Sequence, residues 1–329
     1  MINTNEYFNR CRNSIYNGKD QFLLARIANS EQEKDLSIPP NCEGYGRIRH
    51  FHRVLDDDWY DALPMDPMAK SLNLTYTDII NAQVFQIASC NLRCWYCFVP
   101  DALKQGTDNV AKWFTTNQMV DMINKNNTDI KLIDLSGGNP ELAPEWIFQM
   151  MQSLEQKELH DKMYLWSDDT LTTSYFFDYL SHDQIRYIRD YPNYGKVGCF
   201  KGFDKKSFCY NTNLSSTFYN QQFELFKRYL DIGLDMYAYV TLTVDDISNL
   251  EERISIFIDK LKTVHHLLPL RVVPLKIIMF TPVVHRNKND HAIALQNQII
   301  VHKEWRKQLR KNYGDDLVNC RICDINLSR

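Results

Sequence analysis

Ser89-Cys90-Asn91-Leu92-Arg93-Cys94-Trp95-Tyr96-Cys97-Phe98 sets three cysteines at a C-x3-C-x2-C spacing, straight after the apolar run Val84 to Ala88. Three thiolates can hold three irons of a [4Fe–4S] cluster and leave the fourth iron open. Electron-transfer clusters usually have four cysteine ligands, so an open iron points to a cluster that does chemistry on something it binds. Intervals of four and three residues let one tight loop wrap one cubane. Zinc takes four ligands, commonly from paired C-x2–4-C knuckles, and this spacing differs.

Outward from that loop the chain becomes regular. Apolar, strand-like runs recur at 84–89, 130–135, 162–167, 195–200, 235–242 and 273–280. Helical stretches at 116–125, 144–158, 173–190, 215–231 and 246–262 lie between them. Strands alternating with helices imply βαβ units and a parallel sheet. Right-handed crossovers curl such a sheet, and six repeats are too few to close an eight-stranded barrel. The expected fold is α/β: a partial (β/α)6 barrel over residues 81–285, after an N-terminal extension or cap at 1–80. A C-terminal helix and Cys-containing tail follow at 286–329, with Ile293, Ile299, Ile300 and Trp305 as core candidates between Asp290 and Lys311. In parallel α/β folds, ligands gather at the C-terminal strand ends, where the cysteine loop falls.

The three cysteines, with the aromatic Tyr96 before the last, resemble the signature of radical S-adenosylmethionine (SAM) enzymes. The resemblance implies that Cys90, Cys94 and Cys97 hold a [4Fe–4S] cluster, with Tyr96 beside it. The open iron would chelate the amino and carboxylate groups of SAM. Reductive cleavage would then give methionine and a 5′-deoxyadenosyl radical that takes hydrogen from a substrate. A partial barrel is also what the resemblance implies, as is an external one-electron donor such as a flavodoxin or ferredoxin.

One strand later comes Ser136-Gly137-Gly138-Asn139-Pro140-Glu141. Two glycines let the backbone approach a ligand closely. The turn resembles the family's Gly-Gly-Glu-Pro motif, which holds the SAM amino group, and so implies contacts from Gly137, Gly138, Asn139 and Pro140. It departs from that motif at Asn139, whose amide oxygen accepts a hydrogen bond but carries no charge. Glu141 supplies either a carboxylate or helix-dipole compensation.

At the third strand end, Ser167 and Asp168 are read either as hydrogen-bond partners for SAM or as helix caps, a role Asp169 and Thr170 suit better. At the fourth, Cys199 and Lys201 share a strand face. Lys201 reads either as the partner of a carboxylate of SAM or substrate or as a surface lysine, while Cys199 suits a buried packing role. Before the barrel, Gly18 to Gln32 has helical spacing. Arg47-Ile48-Arg49-His50-Phe51-His52-Arg53 alternates like a strand. It reads either as a phosphate or carboxylate clamp or as a solvated strand face balanced by Asp56-Asp57-Asp58. His285 reads as a substrate contact or a solvated loop residue.

The 329 residues are 44% hydrophobic and 24% charged, with a net charge of −3, as in an ordinary globular protein with no global basic field. No stretch approaches the ~18 apolar residues of a membrane span. The first residues show no charged-then-apolar targeting pattern, so a cytoplasmic location is expected, with neither membrane nor nucleic acid as partner. Nine cysteines, three in one loop, do not read as a disulfide framework. Cys320 and Cys323 form a C-x2-C pair that, with recruits, would make a second metal site.

The sequence therefore points to a radical SAM enzyme acting on a small metabolite or, alternatively, on a peptide or protein, as a maturase or glycyl radical activase. A non-catalytic iron–sulfur sensor or scaffold is the rival from another class. Gly137-Gly138 counts against it, because a sensor needs no SAM turn.

Overall fold

In the computed structural model, which describes residues 4–56, 59–125, 130–286 and 289–327, the apolar runs become one seven-stranded curled sheet. The chain begins with helix α1 (Thr4–Asn13), strand β1 (Gln21–Ala25) and strand β2 (Gly46–His52). Short strands β3 (Val54–Asp56) and β4 (Trp59–Tyr60), helix α2 (Met65–Ser71) and strand β5 (Ile79–Phe85) follow, and β5 runs into the cysteine loop. Then come β6 (Ala111–Thr115), α3 (Thr116–Lys125), β7 (Leu132–Leu135), α4 (Glu145–Gln156), β8 (Tyr164–Asp169), α5 (Tyr175–Tyr179) and α6 (His182–Asp190). The chain continues through β9 (Tyr194–Phe200), α7 (Lys205–Thr212), α8 (Thr217–Asp231), β10 (Met236–Thr241) and α9 (Leu250–Val264). It closes with β11 (Val272–Leu275), α10 (Thr281–Arg286) and α11 (Asn289–Val318).

The sheet order is β11-β10-β9-β8-β7-β5-β2. Neighbours pair in parallel, except that β2 runs antiparallel to β5. Six parallel strands thus form the partial barrel, and the N-terminal segment adds an edge strand to it. Alternation along each strand divides the side chains between two faces. On the outer face Ile133, Leu135, Leu165, Phe200, Met236 and Val240 join the core with helix residues such as Trp146, Met150, Phe226 and Phe257. On the inner face Leu132, Tyr164, Trp166, Val197, Tyr237, Tyr239 and Val273 form a second cluster with Phe51, Leu63, Met65, Met68 and Ile322. The segment after β2 crosses towards the other sheet edge, where the Trp59 indole donates to the Pro274 carbonyl at 2.8 Å and stacks on His302.

Several boundaries differ from expectation for physical reasons. Gly18 to Gln32 is not a helix. Phe22 to Ala25 pair with β6, and all four are fully buried, so cross-strand burial overrides the helical spacing. The first barrel strand ends at Phe85, leaving residues 86–89 to start the loop. The sixth stops at Leu275, with Pro274 tolerated on an edge strand. The 173–190 stretch breaks into α5 and α6, where Ser181 and Gln184 form a capping box. On α11, Ile293, Ile299 and Ile300 are exposed, while Ala294, Val301 and Trp305 are buried. The core stripe is therefore turned from the expected one, and only Trp305 belongs to it. Asp57 and Asp58, invoked to balance the basic segment, lie outside the described residues.

Candidate active site

The loop after β5 buries Cys90 and Cys94 and half-buries Cys97, all as free thiols. Burial pushes the Cys90 thiol up to about 12, opposed by Lys104 and reinforced by Cys94 and Cys97. The three sulfurs thus lie within reach of one another's charge, which costs energy when they ionise without a cation. An iron cluster reverses that cost, since a bound cation deprotonates its thiol ligands outright. Lys104, its side chain 1% exposed and 2.9 Å from Asp101, stands near Cys97 and Cys90. Lys201 stands near Cys94 and Cys199. Among the described residues no three His, Cys, Asp or Glu side chains close on a single metal ion. A cubane does not require that, because each cysteine binds a different iron. The donor set therefore fits the cluster. It gives the C-terminal pair no such support: Cys320 is exposed, and Cys323 is buried beside the Tyr76 hydroxyl at 3.8 Å.

Neighbouring elements fix the loop. The Arg286 guanidinium, at the end of α10, donates to the carbonyls of Trp95, Cys97 and Val99 and meets Asp101 at 3.3 Å. From α1, the Tyr7 hydroxyl reaches the Cys90 carbonyl at 3.5 Å. Trp95 stacks on His291 at 4.1 Å and donates to Asn211. Tyr96 is buried and turned into the barrel, its hydroxyl accepting from Thr241 at 2.9 Å. No local pattern marks Arg286, which sits beyond the last strand at the end of α10. His285 beside it contacts Glu31 at 2.9 Å on the surface.

The glycine turn is built against the loop itself. Gly138 has φ +68°, and a Cβ there would stand 2.3 Å from the Ile87 carbonyl oxygen and 2.5 Å from that of Ser89. Gly137 has φ +93°, and a Cβ there would meet Gln86 at 2.6 Å. Both backbone angles are ones that side-chain-bearing residues avoid. The Asn139 amide nitrogen of the backbone donates to Ser89, and its side chain donates to Asn91, which in turn donates to Thr172. Asn139 is fully buried, and its Oδ1 has no hydrogen-bond partner among the described residues. Pro140 opens a short 3-10 turn and is buried.

The remaining candidates separate by sheet face. Ser167 points to the helices and shares a 2.8 Å hydrogen bond with the Tyr194 hydroxyl. Glu141 is fully buried against Lys196, so it compensates neither a helix end nor a ligand. Asp168 and Lys201 lie on the inner face. Asp168 accepts from Ser136 at 2.5 Å. With them are Arg47, Arg49 and Asp134, because Arg47 pairs with Val84, and Val84 with Asp134. The basic segment is therefore not a solvated face: Arg47 is 5% exposed, with its guanidinium 4.9 Å above the Phe98 ring. Burial, Arg49's charge and then the opposing carboxylates leave Arg47 at about 10. Burial, then Asp168's charge, pushes the Asp134 carboxyl up to about 7 against the arginines. A lone aspartate inside the apolar run Ile130–Leu135 was the available signal for Asp134. Two clefts, of about 310 and 690 Å³, open outside the barrel, the larger beside Pro100–Leu103 and Arg286. No described helix is long and apolar enough to cross a membrane.

Residues 81–190 match the family model described as a 4Fe-4S single cluster domain. No curated protein matches the chain. Among solved structures, Streptococcus suis SuiB bound to S-adenosylmethionine is 14% identical with a TM-score of 0.45, over 73% of this chain and 50% of SuiB. Native anSMEcpe with bound AdoMet is 16% identical with a TM-score of 0.47, over 72% of this chain and 61% of that one. TYW1 with a lysine-pyruvate adduct bound is 11% identical with a TM-score of 0.42, over 70% and 73% of the respective chains. The chain spans about half the length of the first solved structures it matches. From β5 through the cysteine loop to the end of α6, it is similar to single-cluster 4Fe–4S domains.

Proposed function

We propose that this protein is a radical SAM enzyme. The observation that carries the reading is the cysteine loop: three free thiols, within reach of one another's charge, in C-x3-C-x2-C spacing at the C-terminal end of the first parallel strand. Cys90, Cys94 and Cys97 would hold the [4Fe–4S] cluster, which when bound would supply the electron for reductive cleavage of SAM. The chain's own residues position and shield. Gly137 and Gly138 let the turn seat on the loop, and Asn139 presents its free Oδ1 as an acceptor for the SAM amino group. Tyr96, Asp168 and Lys201 line the inner face below the loop, with Lys201 the candidate for a carboxylate. Ser167 and Pro140 support the site from behind: Ser167 through Tyr194, Pro140 by fixing the turn. Burial of the loop by Arg286, α1 and Trp95 keeps water from the reacting atoms. A one-electron donor such as a flavodoxin or ferredoxin would supply that electron. The charges that Arg47, Arg49, Asp134 and Lys201 place on an otherwise apolar and aromatic inner face favour a small metabolite over a peptide or protein as substrate.

The reading is tested by anaerobic reconstitution followed by an iron and sulfide count and electron paramagnetic resonance of the reduced protein. About four irons per chain, and a spectrum that changes when SAM is added, are expected. Four irons with a spectrum indifferent to SAM would favour a sensor or scaffold. About eight irons would bring Cys320 and Cys323 back as ligands.

A further inference from the structure

Charged groups on two strands face each other across the barrel interior and meet only in one long ion pair, Arg49 with Asp134 at 3.6 Å. Arg47 and Arg49 stand two residues apart on β2 and share its inner face. Asp134 stands two strands away on β7, ~10 Å across at two strand spacings. The strand between them, β5, places Ala82 and Val84 in register with Arg49 and Arg47, with Ile80 further along the same face opposite Phe51. Arg47 is 5% exposed and its Nε has no hydrogen-bond partner among the described residues. Asp134 is fully buried and neither carboxylate oxygen is hydrogen-bonded. Arg49 comes no nearer to it than 3.6 Å, too far for a hydrogen bond, and its guanidinium lies 4.0 Å over the Phe51 ring.

Burying a charge without hydrogen bonds is costly, and native proteins rarely leave such groups idle. The other inner-face carboxylates do have donors: Ser136 for Asp168, and Tyr239 and the Leu63 amide for Asp61. The unused capacity is therefore specific: a donor surface on β2 and an acceptor on β7, opposite each other beneath Phe98.

We infer that this interior binds the substrate as a small amino or hydroxy acid, its carboxylate on Arg47 and Arg49 and its amino or hydroxyl group donating to Asp134. The inference rests on the enzyme reading above and names its substrate class. A guanidinium pair suits a planar carboxylate, and a buried carboxylate with two free oxygens suits an N–H or O–H donor. The two contacts fix orientation together, since a ligand lacking either group leaves a buried charge unpaired.

The test is calorimetric titration of the reconstituted protein, saturated with SAM, with the standard L-amino acids. For each one that binds, the matching hydroxy acid, the acid without the donor and the amine without the carboxylate are titrated in turn. A terminally blocked dipeptide is a further probe. At least one free amino or hydroxy acid is expected to bind. Removal of its carboxylate or its donor should weaken it roughly tenfold or more, as for hydrogen bonds to charged groups. Arg47→Gln should weaken acids and leave the amine unchanged. Asp134→Asn should weaken the amino acid but not the acid without a donor. Circular dichroism and iron content identify a variant that fails to fold, and the other variant then decides. The inference is overturned if no free acid binds, if only the blocked dipeptide binds, or if both variants bind like wild type. It is also overturned if the acid's affinity falls in proportion as SAM is raised, which assigns the groove to SAM itself. Binding is read without turnover, so a protein that binds the acid but cleaves no SAM fails the enzyme reading alone.

Discussion

Two groups of buried charges sit on opposite faces of the same sheet, and they are built differently. On the outer face Lys196 is fully buried between Glu141, which it contacts directly, and Asp169 at 3.6 Å. Asp169 also accepts from the Leu171 amide at 2.7 Å, and the Tyr229 hydroxyl approaches Glu141 at 3.5 Å. The rings of Tyr229 and Phe176 lie 5.0 and 5.7 Å from the ammonium. Burial alone would discharge this lysine, but Glu141, Tyr194 and Asp169 hold it well above its ordinary range. On the inner face Asp134 has one ion pair, with Arg49 at 3.6 Å, but among the described residues no hydrogen bond to either oxygen, and Arg47 Nε is likewise without one. The outer group ties β9 to the glycine turn and to β8, so its partners are protein. The inner group keeps its capacity for something that is not. The same residue types thus do structural work on one face and are available for binding on the other, and what distinguishes them is where their hydrogen bonds go.

The largest effect should come from Lys196→Met. It strands Glu141 and Asp169 as buried carboxylates without a cation, which costs on the order of 3–5 kcal/mol. Chemical denaturation would measure it, and a loss under about 1 kcal/mol would show the outer group is not structural.

Asp134→Asn should move stability the other way, by an amount that grows as pH rises from about 4 to about 7. The folded protein raises this carboxyl to about 7, so it binds its proton more tightly folded than unfolded. Stability from the protonated form is full below the unfolded value and declines as pH rises through about 7. The asparagine variant lacks that decline. It should be more stable than wild type at pH 8 by up to about 4 kcal/mol, with the gap closing near pH 4. A gap independent of pH would mean that the carboxyl is not buried as described.

The smallest effect belongs to Arg47→Met. Removing a buried cation that lacks close partners should change stability by under about 1 kcal/mol or raise it slightly. A loss resembling that of Lys196→Met would erase the distinction between the two faces.

Much of this arrangement was legible in the residue pattern. The cysteine spacing marks the site, and alternating apolar runs give the parallel sheet, because both signals are local. What was not legible depends on pairing between distant segments. Gly18 to Gln32 has helical spacing, yet Phe22 to Ala25 meet β6 some ninety residues on. Ser167 and Asp168 are adjacent in sequence and equally polar, but the period of two sends the first to Tyr194 and the second to the interior. Register decides that, and a one-residue ambiguity in strand bounds reverses it. The arginines of β2 looked solvated because nothing local says that an N-terminal strand joins the sheet edge and turns its basic face inward.

The most direct test of the central claim is anaerobic assay of 5′-deoxyadenosine and methionine after reduction with dithionite in the presence of SAM, with Cys94→Ala alongside. The account predicts both products from the wild type and neither from the variant. Wild-type protein with a verified four-iron cluster that forms neither product, with or without the amino and hydroxy acids above, would contradict it.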